Sequence, residues 1–184
     1  AQGIKAGQQY GQEGSGVRPS TLDEFAIPGA FILSDGAGRN RFPIKAAADG
    51  NGNEMPLTQD EVRQLLETAH QTMSAARGQI RRPLNQSARV SMVVVDTTGE
   101  ILGLVIGSDA PIFGLDVAVQ KARTATFFSS ELAATYLVGL NRDEISDYVQ
   151  RVRVFLNDPQ ALTGQHAFSD RAGGNLSRPY FPDG

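Results

Sequence analysis

The sequence predicts an α+β fold: an antiparallel sheet flanked by helices, with a long irregular N-terminal arm and a loop-rich C-terminal tail. Three observations predict it. A capped amphipathic helix starts at Thr58. Two β-branched runs, Val90–Asp96 and Glu100–Ile106, are separated only by Thr97-Thr98-Gly99, so they must pair as antiparallel neighbours. Helical periodicity then returns between Gly114 and Leu156.

Composition narrows the function classes. The chain has 184 residues, enough for one domain with a core, or a domain plus a tail. Its 17 basic and 20 acidic side chains leave a charge of -3, which argues against a nucleic-acid surface, since phosphate binding needs a clustered basic field. The absence of cysteine excludes disulfides, thiolate metal sites and a cysteine nucleophile. No apolar run is long enough to span a membrane. Residue 1 is Ala and the methionines are Met55, Met73 and Met92, so the chain is expected to be a processed product or part of a longer one.

Residues 1–56 read as an extended Gly-rich arm. Gly3, Gly7, Gly11, Gly14 and Gly16 fall where there is little to bury, and Ala30–Asp35 is a short strand bounded by Gly29 and Gly36. Such an arm is expected to order only where it lies on something else. Residues 57–156 form the compact domain. Thr58 and Glu61 make a capping box, followed by Val62, Leu65, Leu66, Ala69, Met73 and Ala76 at helical spacing. After the hairpin, Leu115, Ala118, Val119, Ala122, Ala125 and Phe128 mark a second helix. Ser129 or Ser130 restarts a short one through Leu137. Asn141–Glu144 caps a last helix, with Ile145, Tyr148, Val149, Val152, Phe155 and Leu156 on its apolar face. Pro159 closes it, and residues 157–184 form the tail. Two strands alone make a marginal sheet. More strands are expected from the arm, from a continuation of the gene product or from another chain, which implies a homo-oligomer or larger assembly.

Chemistry-bearing residues are few. Asp49–Glu54 resembles the start of a calcium loop, but Glu54 occupies the position that needs glycine, so a polar linker is the better reading. His70 and His166 have no partner at metal-ligand spacing, which disfavours zinc. His70, beside the apolar stripe, is either a boundary residue or one axial nitrogen for a haem iron. Asp60-Glu61 and Asp143-Glu144 complement helix dipoles. No nucleophile elbow, phosphate loop or dinucleotide fingerprint occurs, and no catalytic constellation can be named. Lys121–Phe128 mixes cations, hydroxyls and aromatics over two helical turns. Lys121 and Arg123 suit ligand carboxylates, and Phe127 and Phe128 suit a flat ring. A boundary helix with snorkelling cations explains the same residues.

The ordered motifs V-S-M-V-V-V-D, T-T-G, E-I-L-G, G-S-D-A-P and F-G-L-D-V-A-V-Q-K-A-R-T-A-T-F-F resemble the haem-binding GlcG-like domains, over roughly residues 57–130. That family includes the HbpS-like proteins and the C-terminal domain of PduO-type proteins. The segment Ala167–Gly184 resembles an extension of larger, exported members. The resemblance implies an antiparallel sheet flanked by helices, oligomers, haem or a related tetrapyrrole as cofactor in some members and haem breakdown in a few. It also implies a further strand pair and helix, and a periplasmic or extracellular location. It maps K-A-R-T-A onto Lys121–Ala125, with Thr124 the first position to test, and D-A-P onto Asp109–Pro111; no axial ligand carries over. Two function classes stand: a tetrapyrrole-binding module within an assembly, or a non-catalytic structural subunit that keeps the fold without a ligand.

Overall fold

A computed structural model describes residues 3, 6–49 and 55–169. The fold is α+β, a four-stranded antiparallel sheet with helices. In chain order the elements are β1 (Val17–Pro19), β2 (Ala30–Leu33), α1 (Gln59–Ala75), β3 (Ser91–Val95), β4 (Ile101–Gly107), α2 (Gly114–Phe128), α3 (Ala133–Gly139) and α4 (Asp143–Leu156). The sheet order is β1-β2-β4-β3. Among the described residues no helix is long and apolar enough to cross a membrane. Contacts divide the chain into two units, the first holding the described residues of 1–96 and 100–120, the second those of 97–99 and 121–169.

In the first unit, β3 and β4 pair as the hairpin pattern requires, from Ser91↔Ile106 to Val94↔Gly103. The next pair is Val95↔Ile101, so Leu102 is one residue too many in β4. Such a bulge breaks the in-out alternation. Leu102 therefore joins Val105 on the α1 side, with Phe25, Ala30, Ile32, Ile44, Val62 and Leu66. The other side gathers Leu104, Ile106, Val17 and Ala110, covered by Tyr10, Phe42, Leu115 and Val119.

The α1 face explains two glycines. A Cβ on Gly103 would lie 2.8 Å from Leu66 Cδ1, and one on Gly107 would lie 2.7 Å from Met73 Sδ. The helix side chains occupy the space those two residues leave. The helix itself is capped as expected: Thr58 Oγ1 accepts from the Glu61 amide at 3.3 Å, and the Glu61 carboxylate accepts from the Thr58 amide at 2.8 Å.

The missing strands come from the arm. β2 pairs with β4 through Ala30↔Gly107 and Phe31↔Ile106, and β1 pairs with β2 through Val17↔Leu33. The arm is thus part of the first unit's core, with Val17, Phe25, Ile32 and Ile44 buried. Polar contacts add to this. Arg18 makes a bidentate pair with Glu24, both bonds 2.8 Å, and its Nη2 also donates to the Gly38 carbonyl. Burying a side chain such as Phe25 or Ile32 contributes about 1.5–3 kcal/mol. The Arg18–Glu24 pair, with side chains only 15% and 19% exposed, holds the arm together with that apolar burial. Of Asp49–Glu54, read as a polar linker, only Asp49 is described, and residues 50–54 lie outside the described residues.

The second unit is helical. Ala133, Ala134, Val149, Val152, Ala161 and Leu162 form its core, with Phe127, Phe128, Leu137, Tyr148 and Phe168 packed against it. The described part of the tail folds back into this core. Leu162 accepts from the Ala134 amide at 3.0 Å, and Phe168 exchanges hydrogen bonds with Ser129 Oγ. Two expectations need correction here. Asn141 does not cap α4: the N-cap is Arg142, without a side-chain bond, and Asn141 sits at φ 51°. Phe155 and Leu156 are not on the buried face, being 64% and 41% exposed, because α4 buries the narrower stripe of Val149 and Val152.

The Gly103→Val substitution should lower stability by about 1–3 kcal/mol, since the added carbons must displace Leu66 from a filled core. Chemical denaturation of the variant beside wild type checks this, and equal midpoints would show that α1 does not seat in that gap.

Candidate functional site

The region singled out by sequence is α2 and the turn before it. Asp109 adopts φ 59°, and the turn closes with the Ala110 amide donating to the Gly107 carbonyl at 3.0 Å. Two arginines that the sequence reading passed over hold this turn. Arg81 donates from Nη1 to Asp109 Oδ2 and from Nη2 to the Asp109 carbonyl, both at 2.8 Å, while Arg89 Nη1 donates to the Ser108 carbonyl at 2.9 Å. Asp109 is therefore spent on orienting the helix entry. The available signal was an acid-free stretch carrying unpaired arginines.

Within α2, residues three and four apart stack on one face. Phe113 lies just before the helix and Val117 one turn on, and these are 76% and 39% exposed. Lys121 and Thr124 continue the same stripe and are exposed. Phe113 and Val117 belong to the first unit, and Lys121 and Thr124 to the second. Phe113 was the other missed residue, because it precedes the helical period.

The remaining candidates are placed differently. Arg123 Nε donates to the Gly99 carbonyl at 2.9 Å, and its stem lies 3.2 Å from where a Gly99 Cβ would sit. Gly99 has φ 83°, so glycine meets both the turn and the approach of Arg123. Phe127 and Phe128 are half-buried rather than offered to a ligand. They meet edge to face at 5.2 Å; Phe127 also meets Tyr136 at 5.7 Å, and Phe128 meets Tyr148 and Phe168 at 6.0 Å. Their ring surface builds the second unit's core.

His70 lies in the first unit, 2% exposed. Its Nε2 donates to the Gly29 carbonyl at 3.3 Å, and the Ser108 amide donates to the same oxygen at 3.1 Å. Burial lowers its pKa, only partly opposed by that hydrogen bond. His166 is exposed, with Nε2 3.8 Å from Asp158 Oδ2. Among the described residues no three His, Asp or Glu side chains converge as metal donors.

These positions test the fit of a tetrapyrrole. The exposed Lys121 is of the type that suits a ligand carboxylate. His70 does not fit as an axial ligand, because its ring is enclosed and its Nε2 is engaged by backbone.

A pH dependence follows from His70. Its folded pKa lies below the unfolded value of about 6.5, so the unfolded chain binds the proton more readily. The stability this neutral ring contributes is fully present above that value and is lost as pH falls through it. Between neutral pH and about pH 5.5 the wild type should lose stability, and His70→Gln, which keeps a donor for Gly29, should lose less. Parallel urea midpoints in both proteins across that range would contradict the assignment. Compared with family models, curated proteins and solved structures, the chain matches none significantly.

Proposed function

We propose that this chain is a haem- or related tetrapyrrole-binding module working within a larger assembly. The observation that carries the reading is the exposed Lys121 of α2. A tetrapyrrole is a flat apolar disc with carboxylates at one edge. Lys121 offers a cation for a carboxylate, and Phe113 and Val117, earlier in the sequence, are exposed apolar residues. The K-A-R-T-A and D-A-P resemblance supports the same helix. Bound haem would supply iron chemistry, and the chain's own residues would hold its edge and face. No group with a catalytic role is assigned.

A second reading, a structural subunit without a ligand, has its own support. Leu132 at the N-cap of α3, Tyr136 within it and Leu140 at its C-cap recur four residues apart and are 64%, 59% and 43% exposed. A stripe of that kind suits a protein neighbour.

Haem titration separates the two. Wild type should develop a Soret band, and Lys121→Ala with Arg123→Ala should weaken binding by about 1–3 kcal/mol through lost charged hydrogen bonds. Lys121→Ala alone, which leaves the Gly99 turn untouched, should account for most of that loss. Unchanged titrations in the double variant would remove the site. Failure of wild type to bind would remove the function and leave the subunit reading, for which Leu132→Ser with Tyr136→Ser should reduce the mass found by light scattering.

A further inference from the structure

The segment between α1 and β3 has a shape and a charge that the reading above does not use. Its two ends run side by side: the Gly78 amide donates to the Gln86 carbonyl and the Ala88 amide to the Ala76 carbonyl, both at 2.8 Å, and Arg77 bridges with Ser87. A Cβ on Gly78 would stand 3.0 Å from the Ser87 carbonyl oxygen, so the ends are as close as glycine permits. The base is therefore fixed, and residues 79–85 form the tip between its ends, with Arg81 tied to Asp109. At that tip Ile80 is 96% exposed and Leu84 60% exposed. Water is a poor solvent for both, and nothing among the described residues covers them.

The charge is equally local. From Thr68 to Val95 the chain has no Asp or Glu, but it carries Arg77, Arg81, Arg82 and Arg89, although the whole chain is net negative at -3. Arg81 is neutralised by Asp109 at 2.8 Å, and Arg89 is half-buried against the Ser108 carbonyl. Arg77 and Arg82 are exposed, and among the described residues no carboxylate stands within ion-pair distance of either.

We propose that this loop docks the protein on an anionic lipid surface, with Ile80 and Leu84 entering the headgroup boundary and Arg77 and Arg82 meeting lipid phosphates. A bare aliphatic tip bracketed by cations has the two components that interfacial binding sums, buried apolar area and attraction to anionic headgroups. Exposed aliphatic side chains need no keyed pocket to leave water, so a soft lipid boundary with anionic headgroups suits Ile80 and Leu84 beside Arg77 and Arg82.

Flotation of the full chain with vesicles tests this. The chain should bind phosphatidylcholine vesicles that contain phosphatidylglycerol, should not bind phosphatidylcholine alone, and should release as salt is raised. Ile80→Ser with Leu84→Ser, and separately Arg77→Gln with Arg82→Gln, should each cut partitioning by about tenfold or more. These side chains are exposed, so circular dichroism should remain that of wild type. Absence of binding to the anionic vesicles, equal binding to both vesicle types, or binding indifferent to both variants would overturn the proposal. Binding to soluble polyglutamate without binding to vesicles would overturn it in favour of an acidic protein partner.

Discussion

The close approach of α1 to β4 sets the rest of the first unit. β4 lies between β2 and β3 and is buried on both faces, and it can accept a helix at short range only because Gly103 and Gly107 have no side chains. Leu66 and Met73 fill those gaps and fix α1 along the strand. That placement carries His70 to the Gly29 carbonyl, where the Ser108 amide also arrives. One oxygen thus joins α1, the start of β2 and the end of β4. From it follow the pairing of β2 on β4, of β1 on β2, and the position of the turn that launches α2. A side chain at either glycine would be felt along that whole series.

The same economy decides which α2 residues are exposed. Helices bury what they can, so Leu115 and Val119 go to the sheet cluster and Phe127 and Phe128 to the helical cluster. Arg123 closes over the Gly99 turn, and Asp109 is held by Arg81. Phe113, Val117, Lys121 and Thr124 are left exposed on one face. The tetrapyrrole binding proposed above would then depend on the Lys121 cation more than on aromatic stacking.

Local signals were legible in the sequence and long-range ones were not. The Thr58–Glu61 capping box needs only residues three apart, and the β3–β4 hairpin needs only a short turn between two β-branched runs. The boundaries of α2 were likewise readable from its period and from Gly114. Ala30–Leu33 was legible as a strand, but its partner was not: pairing β2 with β4 closes a loop of more than 70 residues, as in Phe31↔Ile106. Val17, Phe25 and Ile44 are scattered along the arm, with no period to reveal that they share the first unit's apolar core. The site was half legible. Periodicity placed Lys121, Thr124, Phe127 and Phe128 on a helix, but it could not say that α3 and α4 would claim the aromatics. Nor could it say that His70, next to the apolar stripe, would face a backbone carbonyl.

Amide hydrogen exchange in the arm tests most directly the claim that residues 17–33 complete the sheet from within the chain. The Phe31 amide and its β2 neighbours should be protected to the same degree as Leu104 and Val105 of β4, and should open with them, because the strands share one core. Rapid exchange across Ala30–Leu33, with β3 and β4 still protected, would show that the hairpin stands without the arm and would contradict the account.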